Sequence, residues 1–419
     1  MLLKKYKIND NLNYYYYQTK KYKSFSVKIY FLLPFDKEKI TIRNLLKDIL
    51  LYDSKKYSST EIINKKRELY NLKVGINSTP MNDTHEYCLT ISGTNPKFFN
   101  DEEYTLDKVF EYVNELIFNP NVINNQFDDH SYQMCFNRYK IALKTALEDK
   151  NYMAHNESIE ILDEDQNKFS QLGKIDDFEK ITNELVYQEY QELMNSKIII
   201  SCIGDLDKNI IKNNFKKYFS NFNEFKEKIK MTPTKYQEYR EKVIELKTEQ
   251  SILVMNFATE VEKFKEDYFN SLIFNMLLGG DASSKLFRIL REKYGYCYEV
   301  YSANDVNSGL ITVYVGLDKS NIDNAITLIL KQIEDIKEGN FTKTLLNELL
   351  ENEYTRVSAI YDNIQSTLSR EISLYLYNRD SSLRLLKSDI NKVSKESIMN
   401  FANRVKHINT VVIKSKGDE

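Results

Sequence analysis

Apolar and polar positions follow two different periods along this chain, and each change of period marks an element. Ser24 to Phe35 (SFSVKIYFLLPF) is rich in β-branched and aromatic residues and ends beside Pro34, which predicts a strand. Residues 40–51 and 59–70 carry apolar side chains three and four apart, the spacing of helices. Leu72 to Ile76 and Glu86 to Ser92 predict two strands around a Pro80-Met81-Asn82-Asp83 turn. An amphipathic helix is expected over Leu106 to Phe118, stopped by Asn119-Pro120. A long helix follows from Asn125 to Lys150, with more helix to Leu162. Residues 177–195 are expected as helix, and Lys197 to Ile203 as a buried strand closed by Gly204-Asp205.

The same order then returns. Ser251 to Phe257 predicts a strand, 264–278 and 283–293 helices, and Tyr296 to Ser302 with Gly309 to Val315 a strand pair. Helices over 321–337, 342–378 and 394–405 precede a closing strand, Thr410 to Ile413. The halves share wording: Arg67-Glu68-Leu69-Tyr70-Asn71-Leu72-Lys73-Val74 against Arg291-Glu292-Lys293-Tyr294-Gly295-Tyr296-Cys297-Tyr298. The chain therefore reads as one unit used twice, over 1–205 and 249–419. The lysine- and asparagine-rich stretch 206–248 is its connection. The expected class is α+β: two similar α/β-layer domains, each with helices on one face of an antiparallel sheet.

Gly279-Gly280 followed by Asp281-Ala282-Ser283-Ser284 predicts a backbone bend and then a helix capped by a Ser or Asp. Gly295 suits the left-handed residue past that helix's end. Strict alternation beyond it puts Tyr296, Tyr298 and Val300 on one side, and Cys297, Glu299 and Tyr301 on the other. Arg291 then falls in the last helical turn and Tyr298 on the next strand. Bland readings exist for both: a cation at a helix C-terminus, and a core tyrosine with a wet hydroxyl. No G-x-x-x-x-G-K-[ST] follows the glycine pair, and Ser283 and Ser284 have no adjacent histidine. Neither a phosphate cradle nor a serine nucleophile is indicated.

Composition narrows the classes. Over 419 residues, 59 Lys+Arg against 61 Asp+Glu leave a net charge of −2, which gives no reason to expect nucleic acid as partner. No apolar run approaches the roughly 20 residues of a membrane span. Met1-Leu2-Leu3-Lys4-Lys5-Tyr6 runs into a charged, tyrosine-rich segment without a signal core, and Cys88, Cys135, Cys202 and Cys297 form no C-x-x-C pair. A reducing cytoplasm is the expected location.

The string from the glycine pair through S-S-x-L-F, L-R-E-K and G-x-x-Y resembles the C-terminal signature of the insulinase/pitrilysin-type zinc peptidases, the group that includes the mitochondrial processing peptidases. The duplicated halves extend the resemblance over essentially the whole chain. It implies that Arg291 and Tyr298 hold a substrate backbone near a zinc ion. Catalysis in that family also needs H-x-x-E-H on the first long helix, two histidines one turn apart binding Zn²⁺ and a glutamate activating its water. The flanking K-K-x-S-x-x-E-I at Lys55 to Ile62 sets the register here. Asn44 and Asp48 stand at the histidine positions, Lys47 at the general base, and Ala142 near the later glutamate. Asn44 with Asp48 beside a lysine makes a poor site even for a hard cation. His85, His130, His155 and His407 lie too far apart to rebuild the motif, and each reads as a surface or capping residue. No cofactor is expected in this chain.

The resemblance implies a non-catalytic, substrate-binding subunit of a bacterial heterodimeric peptidase. Its zinc-bearing sister would carry the metal, and both would act on small peptides held as an added strand. Two other readings stay open: a scaffold protein of this fold without proteolysis, and a homodimeric peptide-binding protein.

Overall fold

The apolar run near the N-terminus forms the strand Ser24–Pro34, and its neighbours assemble around it. A computed structural model describes residues 2–81, 83–162, 169–227 and 233–416, so Asn82 of the expected turn and 228–232 of the expected connection lie outside the described residues. The chain divides into two compact units. One contains Met1–Lys144, Gln171–Ile229 and Ala359–Ser381; the other contains Thr145–Ser170, Lys230–Ser358 and Ser382–Glu419.

In the first unit the main strand order is Lys4–Lys7, Asn13–Gln18, Lys197–Gly204, Ser24–Pro34, Thr84–Thr94, Lys73–Met81, with Asn223–Glu224 added beside Lys197–Gly204. In the second it is Arg240–Leu246, Lys406–Ser415, Ser251–Ala258, Leu310–Leu317, Cys297–Asp305. The class is α+β as expected, but the sheets are mixed and not purely antiparallel. Asn13–Gln18 runs parallel to Lys197–Gly204, and Arg240–Leu246 runs parallel to Lys406–Ser415. These partners are far apart in sequence, as parallel pairing requires. The correspondence also extends the repeat: Arg240–Leu246 is the counterpart of Asn13–Gln18, each flanking its unit's late-arriving strand. Arg240–Leu246 and the helix Lys208–Phe219 both fall inside the stretch read as connection.

Each sheet is covered on both faces, where helices on one face were expected. In the second unit Leu253, Met255, Phe257, Val313 and Val315 pack with Ile273, Phe274, Ile329 and Phe401 from helices. The alternate residues Ile252, Val254, Tyr314 and Ile413 pack on Ala154 of the helix Lys150–Glu160. That helix is pinned at its end: the side-chain amides of Asn256 and Asn409 both donate to the Ser158 carbonyl, at 3.3 and 2.8 Å. They satisfy an acceptor that the last helical turn leaves open. In the first unit, Leu368 and Ile372 of the helix Ile364–Leu376 cover Tyr15, Tyr30, Leu32, Cys88 and Ile199. Each sheet's second face is thus closed by a helix from the opposite half of the sequence. Among the described residues, no helix is long and apolar enough to cross a membrane.

Candidate functional site

The glycine-pair segment lies in the second unit, and its turns are wider than those of a regular α-helix. The helix expected over 264–278 forms as an α-helix, Tyr268–Asn275, that opens into π-type turns over Met276–Gly280. Ser284 caps the next helix, its hydroxyl accepting from the Phe287 amide at 3.4 Å, while Asp281 accepts from Ser283. Over Phe287–Lys293 the turns widen again, and the Tyr294 amide reaches back five residues to the Ile289 carbonyl at 3.1 Å. Wide turns of this kind are frequent at functional sites. Gly295 then takes the left-handed conformation, φ +62°, and lets the Tyr296 amide close on the Leu290 carbonyl at 2.8 Å.

The glycine pair has a different cause from the expected bend. Neither Gly279 nor Gly280 has a left-handed backbone. A Cβ on Gly279 would lie 2.9 Å from the Ser302 amide nitrogen, and one on Gly280 would lie 2.5 Å from the Asn275 side-chain nitrogen. Close approach of backbone to neighbour is what excludes a side chain here.

Arg291 sits in the last turn of Phe287–Lys293, exposed, with its guanidinium carbon 5.1 Å above the Phe287 ring. Tyr298 lies on Cys297–Asp305, the edge strand of its sheet, and is 66% exposed. The expected alternation breaks at this residue. Cys297 pairs with Leu317 and Glu299 with Gly316, so Tyr298 is an extra residue in a β-bulge. Cys297 and Val300 therefore both face the core, and Tyr298 is turned outward. Burial pushes the Cys297 thiol up to about 11, with the Arg291 cation opposing the rise. Among the described residues no hydrogen bond or ion pair engages Arg291 or Tyr298.

In the first unit, the helix Ile40–Ile49 carries Asn44, Lys47 and Asp48. Asn44 is buried and spends its amide hydrogens on the Ile40 and Gln171 carbonyls, at 3.1 and 3.2 Å. Lys47 pairs with Asp48 at 3.0 Å and lies 5.9 Å above the Tyr139 ring. Ala142 is exposed on the helix Asp129–Glu148. These residues do not fit a zinc ion: one is committed as a donor, one is a cation, and the remaining carboxylate is already paired. Among the described residues, no group of three or more His, Cys, Asp or Glu side chains is placed to hold a metal.

His85 departs from the surface or capping role expected of it. It is fully buried, with Nε2 2.7 Å from the Ser78 hydroxyl. Burial, reinforced by the Arg43 cation, lowers it to about 3. A strand with alternating polar and apolar residues gave no sign of this, because the burial comes from distant elements. Arg43 itself is a feature that sequence reasoning missed. It is buried and bonded to buried Glu189, Nε to Oε1 at 2.7 Å.

Comparison with known proteins adds lineage to this geometry. A family profile described as "Peptidase M16 inactive domain" matches residues 180–353. The probable inactive metalloprotease YmfF of Bacillus subtilis (strain 168) is 24% identical over 406 residues, covering 95% of this chain and 94% of that protein. A conserved protein from Enterococcus faecalis V583 superposes with a TM-score of 0.93 at 22% identity, with all of both chains covered. A peptidase M16 inactive domain from Pseudomonas fluorescens gives 0.80 at 12% identity, again over both whole chains.

Proposed function

We propose that this chain, which matches a peptidase M16 inactive-domain profile over residues 180–353 and is similar over 95% of its length to a probable inactive metalloprotease, is the non-catalytic, substrate-binding subunit of a two-chain zinc peptidase. A sister subunit with H-x-x-E-H supplies the metal, and this chain supplies Arg291 and Tyr298. The observation that carries the reading is the combination of an unsuitable metal position with two exposed polar groups that make no hydrogen bond or ion pair among the described residues. Lys47, at the general-base position, pairs with Asp48, at a ligand position, whereas Arg291 and Tyr298 make no hydrogen bond or ion pair among the described residues.

Chemically, the sister's zinc activates water when it is bound there. The residues of this chain bind and orient. An extended peptide adds to the free edge of Cys297–Asp305 through main-chain hydrogen bonds. The bulge presents the Tyr298 hydroxyl outward as a donor to a peptide carbonyl, and Arg291 supplies positive charge where negative charge develops.

The test is reconstitution. The chain is purified alone and with a zinc-motif sister encoded in the same genome, and peptide cleavage is measured. Cleavage by the mixture and by neither chain alone supports the reading; a wild-type mixture no faster than the sister alone removes it.

A further inference from the structure

The edge strand Cys297–Asp305 carries a second exposed aromatic residue beyond its bulge. Of the two edges of this sheet, Arg240–Leu246 (REKVIEL) is dense in charge, which guards an edge against an added strand, whereas Val300 to Asn304 carry none. Past the bulge the alternation is regular. Val300 and Ser302 are buried, and Tyr301 turns to the other face, 43% exposed. It pairs directly with Tyr314 of the inner neighbour Leu310–Leu317, and the two rings stack with centroids 5.0 Å apart and planes 24° apart. Tyr314 is buried, and its hydroxyl donates to the Asn151 side-chain oxygen at 2.5 Å, so the inner ring is held in place.

Two rings stacked between directly paired residues lie across the direction in which strands succeed one another. One face of Tyr301 therefore rests on Tyr314, and the other points off the sheet edge, toward the place of the next strand. Among the described residues no further ring stacks on that face and no cation lies over it. An added strand repeats the spacing of the row it joins, with opposed Cβ atoms about 5 Å apart. The residue it sets opposite Tyr301 thus stands to Tyr301 as Tyr301 stands to Tyr314. A flat apolar ring suits that place, because it stacks on the free face and removes both from water. Ala303, two residues on along the same face, is exposed and small, and leaves room for it.

We propose that Tyr301 selects the peptide's side chain: its free ring face takes an aromatic residue of the added strand, extending the Tyr314–Tyr301 row by one ring. The inference rests on the strand-addition reading above and names the class of peptide preferred. That class is an extended segment with Phe, Tyr or Trp roughly 10 Å along the strand from the residue beside Tyr298.

The experiment uses the full chain and fluorescein-labelled threonine- and serine-rich peptides, identical except for Phe, Arg or Ser at one central position. Binding is followed by anisotropy. The Phe peptide should bind about tenfold more tightly than the Ser peptide. Tyr301→Phe should keep this preference, and Tyr301→Thr should abolish it without weakening the Ser peptide. Equal binding of the Phe and Ser peptides by the wild-type chain overturns the aromatic preference and leaves strand addition standing. A preference that survives in Tyr301→Thr overturns it as well, as does an Arg peptide that binds more tightly than the Phe peptide. Failure of all three peptides to bind removes both readings together.

Discussion

Gly279 passes so close to Ser302 that a Cβ at position 279 would lie 2.9 Å from the Ser302 amide nitrogen. The Ser302 hydroxyl is as close, at 2.8 Å, but trimming it leaves the backbone nitrogen and the serine Cβ in the way. Gly279→Ala should cost about 1–3 kcal/mol as an overpacking change, and Ser302→Ala should fail to rescue it. Urea midpoints of the single and double variants check this.

Gly295 makes the opposite case. Nothing lies within 4 Å of its missing Cβ, so only its left-handed backbone constrains it. Gly295→Ala should cost about 1 kcal/mol, and Gly295→Asn less, because asparagine tolerates this conformation. Equal losses in the two variants would contradict the assignment.

Arg43 and Glu189 are each 2% exposed and bonded at 2.7 Å. Removing one partner strands a buried charge, so Glu189→Leu alone should cost about 3–5 kcal/mol. The double variant Arg43→Met/Glu189→Leu should recover most of that loss. A double-mutant cycle in chemical denaturation measures the coupling.

His85 makes stability depend on acid. Its folded value is about 3 against an ordinary 6.5, so below pH 6.5 the unfolded chain binds a proton that the folded chain refuses. Its contribution is complete above pH 6.5 and is lost as the pH falls toward 3, at about 1.4 kcal/mol per pH unit. His85→Gln should flatten this part of the curve by close to one proton. An unchanged slope would show that His85 does not drive it.

Tyr298 is exposed on its bulge, so Tyr298→Phe should leave the melting temperature unchanged. In the reconstituted pair it should lower kcat by about a hundredfold, the loss typical of a donor that acts at developing charge. Arg291→Gln should act in the same direction. Unchanged turnover in both variants would withdraw their assignment.

The repeat was legible because its signals are local. Asn71 and Gly295 occupy matching places in the two shared strings, and both adopt a left-handed backbone, φ 57° and +62°. The Lys47–Asp48 pair is likewise a contact between neighbours in sequence. Other features depend on contacts that no local pattern encodes. Arg240–Leu246 (REKVIEL) is a mostly exposed edge strand whose charges conceal it. The bulge at Tyr298 follows from the register with Leu310–Leu317, and the burial of His85 and Arg43 follows from elements distant in sequence.

The helices Lys150–Glu160 and Ile364–Leu376 set a condition on how this protein is made. A ribosome that has completed all the strands of the first sheet has still not synthesised the helix that closes its second face. Tyr30, Leu32, Cys88 and Ile199 stay open to water until residue 376 has emerged. Dividing the gene at its midpoint would therefore leave each fragment holding the other's cover.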